Sequence, residues 1–370
     1  MQDFVKRKAR QEIFQLKPYI PGKPIEEVKR ELGIDNIIKM ASNENPLGPS
    51  PLAMQAITKA LPDIYLYPDG NCYELKRGLA AFYQIPANQI IIGNGSDELL
   101  KLIAEAFICK DDEVIFAQPT FSEYEFVSLI MGAQCIKIPL QDYTLDLQGV
   151  LRAVTPKTKM IFICNPNNPS GTMLGEQATR QFMEQVPDDI IIVFDEAYVE
   201  YVESPDFPDS LAYVHQGRNV IVSRTYSKIY GLASLRVGYA MTTASIAQAI
   251  ETVMEPFNVN GLAQAGALAA LADKAHVAKS RQLNKEGKQY LYREFTRIGL
   301  EYVTTQANFI LVDCGYDCQE VFRELLQRGI IVRTCDHFGY PHAIRITVGR
   351  PEDNQRLING LEQVLRKLKQ

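Results

Sequence analysis

Seven short apolar runs, spaced so that amphipathic helices fit between most of them, constrain this chain more than any other feature. They fall at residues 89–92, 113–116, 134–138, 159–164, 190–194, 220–223 and 237–241, and one of them, Ile190-Ile191-Ile192-Val193-Phe194, is apolar without a break. A strand that is apolar on both sides must be covered on both faces, which is the condition of a mostly parallel sheet sandwiched by helices. Helical patterns at 96–108, 122–131 and 176–186 supply that cover, so the expected fold is α/β. From about residue 257 the character changes: a long helical stretch at 263–297, strands at 309–312, 330–333 and 343–347, and a last helix at 352–368 predict a smaller α+β unit. The first 47 residues hold a proline-bearing arm, one helix at 25–32 and a strand at 37–40, too little to fold alone, and are expected to dock on the C-terminal unit. With 370 residues, two domains are expected: a large one over 48–256, and a small one built from 1–47 with 257–370.

Composition excludes several function classes. A net charge of −5 argues against a nucleic-acid footprint. The chain has no run of about 18 apolar residues, which argues against a membrane span. Its first residues are charged without an apolar core, unlike a secretory signal. Seven scattered cysteines and four histidines make no ligand pattern, so no metal is expected, and reduced thiols point to the cytoplasm.

The chemistry gathers after the strands. The run at 190–194 delivers Asp195-Glu196-Ala197-Tyr198, and the run at 220–223 leads into Thr225-Tyr226-Ser227-Lys228. An aspartate at one strand end and a hydroxyl-flanked lysine after a later strand are what pyridoxal phosphate requires. The amine forms a Schiff base with the cofactor's aldehyde, and the carboxylate pairs with its protonated pyridine nitrogen. Gly93-Asn94-Gly95-Ser96-Asp97 is a tight turn opening a helix, where the N–H groups of Ser96 or Asp97 make an anion site. Without a third glycine it is a weak dinucleotide fingerprint. Arg236 can clamp the same phosphate, helped by the hydroxyls of Thr225 and Ser227. Asn168, in the rigid turn Asn165-Pro166-Asn167-Asn168-Pro169, and Tyr198 can each donate to a phenolate oxygen, while Phe121 can stack on a pyridine ring. Taken singly, each feature also suits a surface lysine, a capped helix, a well-made turn or a core phenylalanine; they acquire weight by falling in order.

Those blocks, with Ser42-Asn43-Glu44-Asn45-Pro46-Leu47-Gly48 and Tyr67-Pro68-Asp69-Gly70, resemble the fold-type-I pyridoxal phosphate-dependent aminotransferases over essentially the whole chain. The segments 17–24, 236–239 and 344–349 narrow the likeness to the histidinol-phosphate aminotransferases among them. The resemblance implies transamination of L-histidinol phosphate with glutamate and 2-oxoglutarate as the other pair, in a ping-pong cycle with pyridoxal 5'-phosphate carried by Lys228. It makes Lys228, Asp195 and Tyr198 catalytic. It places Ser96, Asp97, Phe121, Asn168, Thr225, Ser227 and Arg236 on the cofactor. Tyr67 matches a tyrosine that reaches the cofactor phosphate of a neighbouring subunit, implying a homodimer with shared sites. Tyr19, Asn43, Arg333 and Arg345 match substrate-binding positions. Phe121 departs from the tyrosine common at its place, which keeps stacking and loses a hydroxyl. An aromatic amino-acid aminotransferase and a threonine-phosphate decarboxylase remain alternatives on the same scaffold.

Overall fold

The computed structural model describes residues 2–16 and 22–370. Its main sheet has eight strands: β1 (Ile90–Gly93), β2 (Glu113–Gln118), β3 (Gln134–Gln141), β4 (Thr144–Leu145), β5 (Thr158–Cys164), β6 (Ile191–Asp195), β7 (Val220–Thr225) and β8 (Gly238–Met241). They lie in the order β1-β8-β7-β6-β5-β2-β3-β4. The run from β7 through β6, β5 and β2 to β3 is parallel, whereas β8 is antiparallel to both β1 and β7, and β4 is antiparallel to β3.

Unbroken apolar strands are explained by two separate cores on the two faces. Ile192, Phe194, Val220 and Val222 point into one, together with Tyr226 and Tyr239. Ile191, Val193 and Ile221 point into the other, with Leu99, Ile103 and Tyr124. Alternation at period two sends neighbours along each strand to opposite cores. The parallel strands β5, β6 and β7 end at Cys164, Asp195 and Thr225, so their carboxyl ends form one rim, where open α/β sheets place their sites.

The smaller unit is an antiparallel sheet in the order Glu301–Tyr302, Phe309–Asp313, Ala343–Thr347, Arg333–Thr334. Leu291, Val321 and Leu361 from three helices pack against it. The helix Ile25–Leu32 and the strand after it dock there, with Ile38–Lys39 in parallel with Ile330–Ile331 and Val28 beside Leu326 and Ile331, whereas Arg10 donates to the Ile130 carbonyl of the larger unit.

Two expectations are corrected. The helical stretch at 263–297 is two helices, Gly261–Ala272 and Lys274–Ile298. Asp273 separates them, its carboxylate accepting from His276 N as the cap of the second helix. The first of the two packs Ala263, Ala267 and Ala270 against the main sheet's core. The strand at 330–333 is likewise two pieces, because Ile330–Ile331 pairs with the N-terminal segment and Arg333–Thr334 with Ala343–Thr347. A backbone that changes partners cannot keep one ladder.

Candidate active site

Asp195 ends β6 with only 2% of its surface exposed. Its Oδ2 accepts from the Tyr124 hydroxyl at 2.8 Å, and its Oδ1 has no hydrogen-bond partner among the described residues. Burial pushes the carboxyl up to about 6, against the opposing pull of the Tyr124 hydrogen bond. A buried carboxylate with one oxygen unsatisfied calls for a donor, and a pyridinium N–H is one.

Lys228 follows β7 by three residues. Its Nζ donates to the Ser42 carbonyl at 3.1 Å and stands 5.9 Å from the centre of the Tyr198 ring. Burial, then the nearby Arg345 cation, lower the amine to about 8. The turn before it is fixed locally, since Thr225 Oγ1 accepts from Ser227 N at 3.0 Å.

An anion cradle lies at the other end. Helix Ser96–Phe107 begins after Gly95, whose φ of +86° is open to glycine and strained for other residues. A Cβ at Gly95 would stand 2.5 Å from Arg236 Nη2, so a bare backbone is what lets the guanidinium lie over the turn. Arg236 is held by Ala233 O at 3.1 Å and Asp97 Oδ2 at 3.0 Å. The helix start, this guanidinium and the hydroxyls of Thr225 and Ser227 all border one cavity, a donor set that suits a phosphate.

Arg345 defines the opposite wall. It is buried, donates from Nη1 to Asn168 Oδ1 at 2.5 Å and from Nη2 to Ala41 O at 2.8 Å, and its Nε has no hydrogen-bond partner among the described residues. Because Arg345 occupies the Asn168 carbonyl, the amide's NH₂ end is left to act as donor. Tyr198 is buried, and its hydroxyl accepts from Asn43 Nδ2 at 2.9 Å. Burial holds that phenol well above the usual range. Asn43 is itself anchored by Thr347, whose hydroxyl donates to Oδ1 at 3.1 Å.

The cavity between these walls measures about 300 Å³. It brings together Asn43, Ser96, Asp97, Phe121, Asn168, Asp195, Tyr198, Thr225, Ser227, Lys228, Arg236 and Arg345, twelve of the residues singled out in the sequence. Two others are not on its wall. Arg333 lies with Nη2 3.4 Å from His337 Nε2. Tyr67 is 83% exposed and stacks on Phe257 at 4.8 Å. Tyr19 lies outside the described residues. Sequence reasoning missed Tyr124, the partner of Asp195, although it closes the same Pro119–Tyr124 block as Phe121. It gave no role to Glu44 or the Ser42 carbonyl, although both lie in the Ser42–Gly48 block, nor to Glu123 and Cys164 on the wall.

The family model for class I and II aminotransferases matches residues 35–361. The histidinol-phosphate aminotransferase of Moorella thermoacetica is 54% identical over 359 residues, covering 97% of this chain and 93% of that protein. Its counterpart from Caldicellulosiruptor saccharolyticus is 47% identical over 356 residues, covering 96% and 99%. A crystal structure of histidinol-phosphate aminotransferase from Sinorhizobium meliloti in complex with pyridoxal-5'-phosphate is similar with a TM-score of 0.89 at 27% identity, covering 98% of both chains.

Proposed function

The chain belongs to the class I and II aminotransferases, and from that premise we propose that it moves the amino group of L-histidinol phosphate to 2-oxoglutarate in a ping-pong cycle that uses Lys228. It is a pyridoxal phosphate-dependent transaminase. The observation that carries the assignment of roles is the half-satisfied Asp195 carboxylate in the same cavity as the Lys228 amine and the Arg236 cradle. The named substrate draws its support from the near full-length relatives.

When bound, the cofactor supplies an electron sink for the substrate's α-carbon. The chain's residues do the rest. Asp195 holds the pyridine proton, and Asn168 and Tyr198 offer donors to the phenolic oxygen. Lys228 Nζ takes the donor's α-proton and passes it on within the same half-reaction, and in the acceptor half-reaction it delivers a proton to the acceptor's α-carbon. In the cofactor-free chain burial and Arg345 lower this amine to about 8, which makes it a far better base near neutrality than an ordinary lysine. Arg345, with Nε unsatisfied, binds the carboxylates of glutamate and 2-oxoglutarate or the donor's phosphate; Tyr19 and Arg333 are assigned to the same anions.

The donor reading is checked by steady-state kinetics with 2-oxoglutarate as acceptor. A phosphate offers more charge-assisted contacts than the single carboxylate of phenylalanine. Each is worth about 1.5–3 kcal/mol, so histidinol phosphate should lead in kcat/KM by roughly 10- to 100-fold. Equal or better values for phenylalanine would make the protein an aromatic aminotransferase.

The working unit we propose is a homodimer with shared sites, in the cytoplasm. Ile64, Tyr65, Leu66 and Tyr67 form an apolar run exposed by 69, 80, 56 and 83%, which suits an interface better than a solvated surface. All seven cysteines are unpaired, as in a reducing compartment, and no described helix is long and apolar enough to cross a membrane. Mixing inactive Tyr67→Ala chains with inactive Lys228→Ala chains should restore part of the activity, because half of the heterodimer's sites would be intact. A sedimenting monomer with full activity contradicts shared sites. The domain division we adopt is 48–256 against 1–47 with 257–370, the helix Gly261–Ala272 being the piece of the C-terminal region that packs on the main sheet's core.

A further inference from the structure

Beneath the site, on the sheet face opposite Asp195, a buried ion pair joins the two strands that carry the chemistry. Arg224 gives both Nε, at 2.9 Å, and Nη2, at 2.7 Å, to a single oxygen, Glu196 Oε2. The Glu196 side chain is fully buried and that of Arg224 is 15% exposed. The guanidinium also lies 5.0 Å from the centre of the Tyr83 ring. The face assignment follows from the packing: Arg224 is in register with Tyr239, a member of the core that holds Phe194 and Val222. The Asp195 partner Tyr124 belongs to the other core.

The position of the pair along the strands matters more than its burial. The ladder between β6 and β7 ends at Asp195 opposite Ser223, with one further bond from Glu196 N to Ser223 O at 2.8 Å. Beyond it β7 pairs only with β8. Without a further link the two strand ends could splay where their side chains meet the cofactor. Glu196 is one peptide from Asp195, and Arg224 is one peptide from Thr225 and four residues from Lys228. The pair therefore spans the gap between the group assigned to the pyridine nitrogen and the groups assigned to the phosphate and aldehyde. Those are separate parts of one rigid small molecule, whose grip depends on that spacing.

We propose that Glu196 and Arg224 are positioning residues of the transaminase site, their ion pair closing β6 against β7 beyond the last ladder bond and so setting Asp195 relative to Thr225 and Lys228. The proposal rests on the roles given above to Asp195 and Lys228, and it makes no claim on the donor.

Removing one member would strand a charge in the interior, so the test uses a neutral pair, Glu196→Gln with Arg224→Gln. In the folded double variant, the dissociation constant for pyridoxal phosphate should rise by about 10- to 100-fold, and the pH midpoint of the bound cofactor's visible absorbance should move. Preference for histidinol phosphate over phenylalanine should stay as in the parent, so loss of the donor reading and loss of this one are separable. A variant with lower thermal stability but both cofactor readouts within about twofold of the parent would reduce the pair to a structural tie and overturn the proposal. Should the double variant not fold, Arg224→Lys keeps the charge and loses the two-nitrogen grip. The same readouts then decide: a weakened, shifted cofactor supports the proposal, and a parental one sinks it.

Discussion

Lys228→Ala should bind pyridoxal phosphate without a covalent link and show no measurable turnover. Two functions end together, because the same nitrogen anchors the cofactor and moves the α-proton. Loss of the proton transfer alone is expected to cost about 10²–10⁴-fold, and loss of the anchor adds to it. Folding should survive, since the amine's hydrogen bond in the structure is one contact to the Ser42 carbonyl. The parent enzyme carries a companion signature. In the cofactor-free chain burial lowers the amine to about 8, so its neutral form grows as pH rises, and the rate at which added pyridoxal phosphate links to it should rise through that range. Peptide mapping after borohydride reduction reads the assignment directly: a cofactor trapped on any other lysine removes Lys228 from its role.

Asp195→Asn should lose on the order of 10³-fold or more in kcat while the fold holds, since an amide cannot keep the pyridine nitrogen protonated. The cofactor-free protein should respond in the opposite direction. The carboxyl sits at about 6 in the fold against an ordinary 3.8, so the charged form is penalised. That penalty is present in full above pH 6 and vanishes below pH 3.8, where folded and unfolded chains both carry the proton. At pH 8 the neutral variant should therefore be more stable than the parent by about 1–3 kcal/mol, with the difference closing on acidification. The lower figure reflects the amide NH₂, which takes over the unsatisfied position of Oδ1. Thermal melts at the two pH values check it, and an apoprotein equally stable with either residue contradicts the buried, half-satisfied carboxylate.

Much of this arrangement was legible in the chain because parallel strands buried on both faces write themselves as unbroken Ile and Val runs. Residues just past such runs, Asp195, Asn168 and Lys228, then fall at one rim without any need to know the packing. What escaped was set by tertiary context. One aspartate, Asp273, splits a helical stretch that continues in composition on both sides. Val332 separates two strand pieces only because the N-terminal segment and Ala343–Thr347 claim different neighbours. Tyr124 carries no local mark as the partner of Asp195, since the two meet across 71 positions. Tyr67, part of the Tyr67–Gly70 block, stands outside the cavity of its own chain, exposed and stacked on Phe257.

That this pyridoxal phosphate enzyme takes its amino group from histidinol phosphate is read out by the two half-reactions, run in turn on the purified holoenzyme. The visible band of lysine-bound cofactor, expected near ~420 nm, is followed on adding histidinol phosphate alone and then 2-oxoglutarate. The band should disappear stoichiometrically with the donor and return with the acceptor. A band unmoved by histidinol phosphate but discharged by phenylalanine, or one lost to histidinol phosphate and not restored by 2-oxoglutarate, would contradict the account.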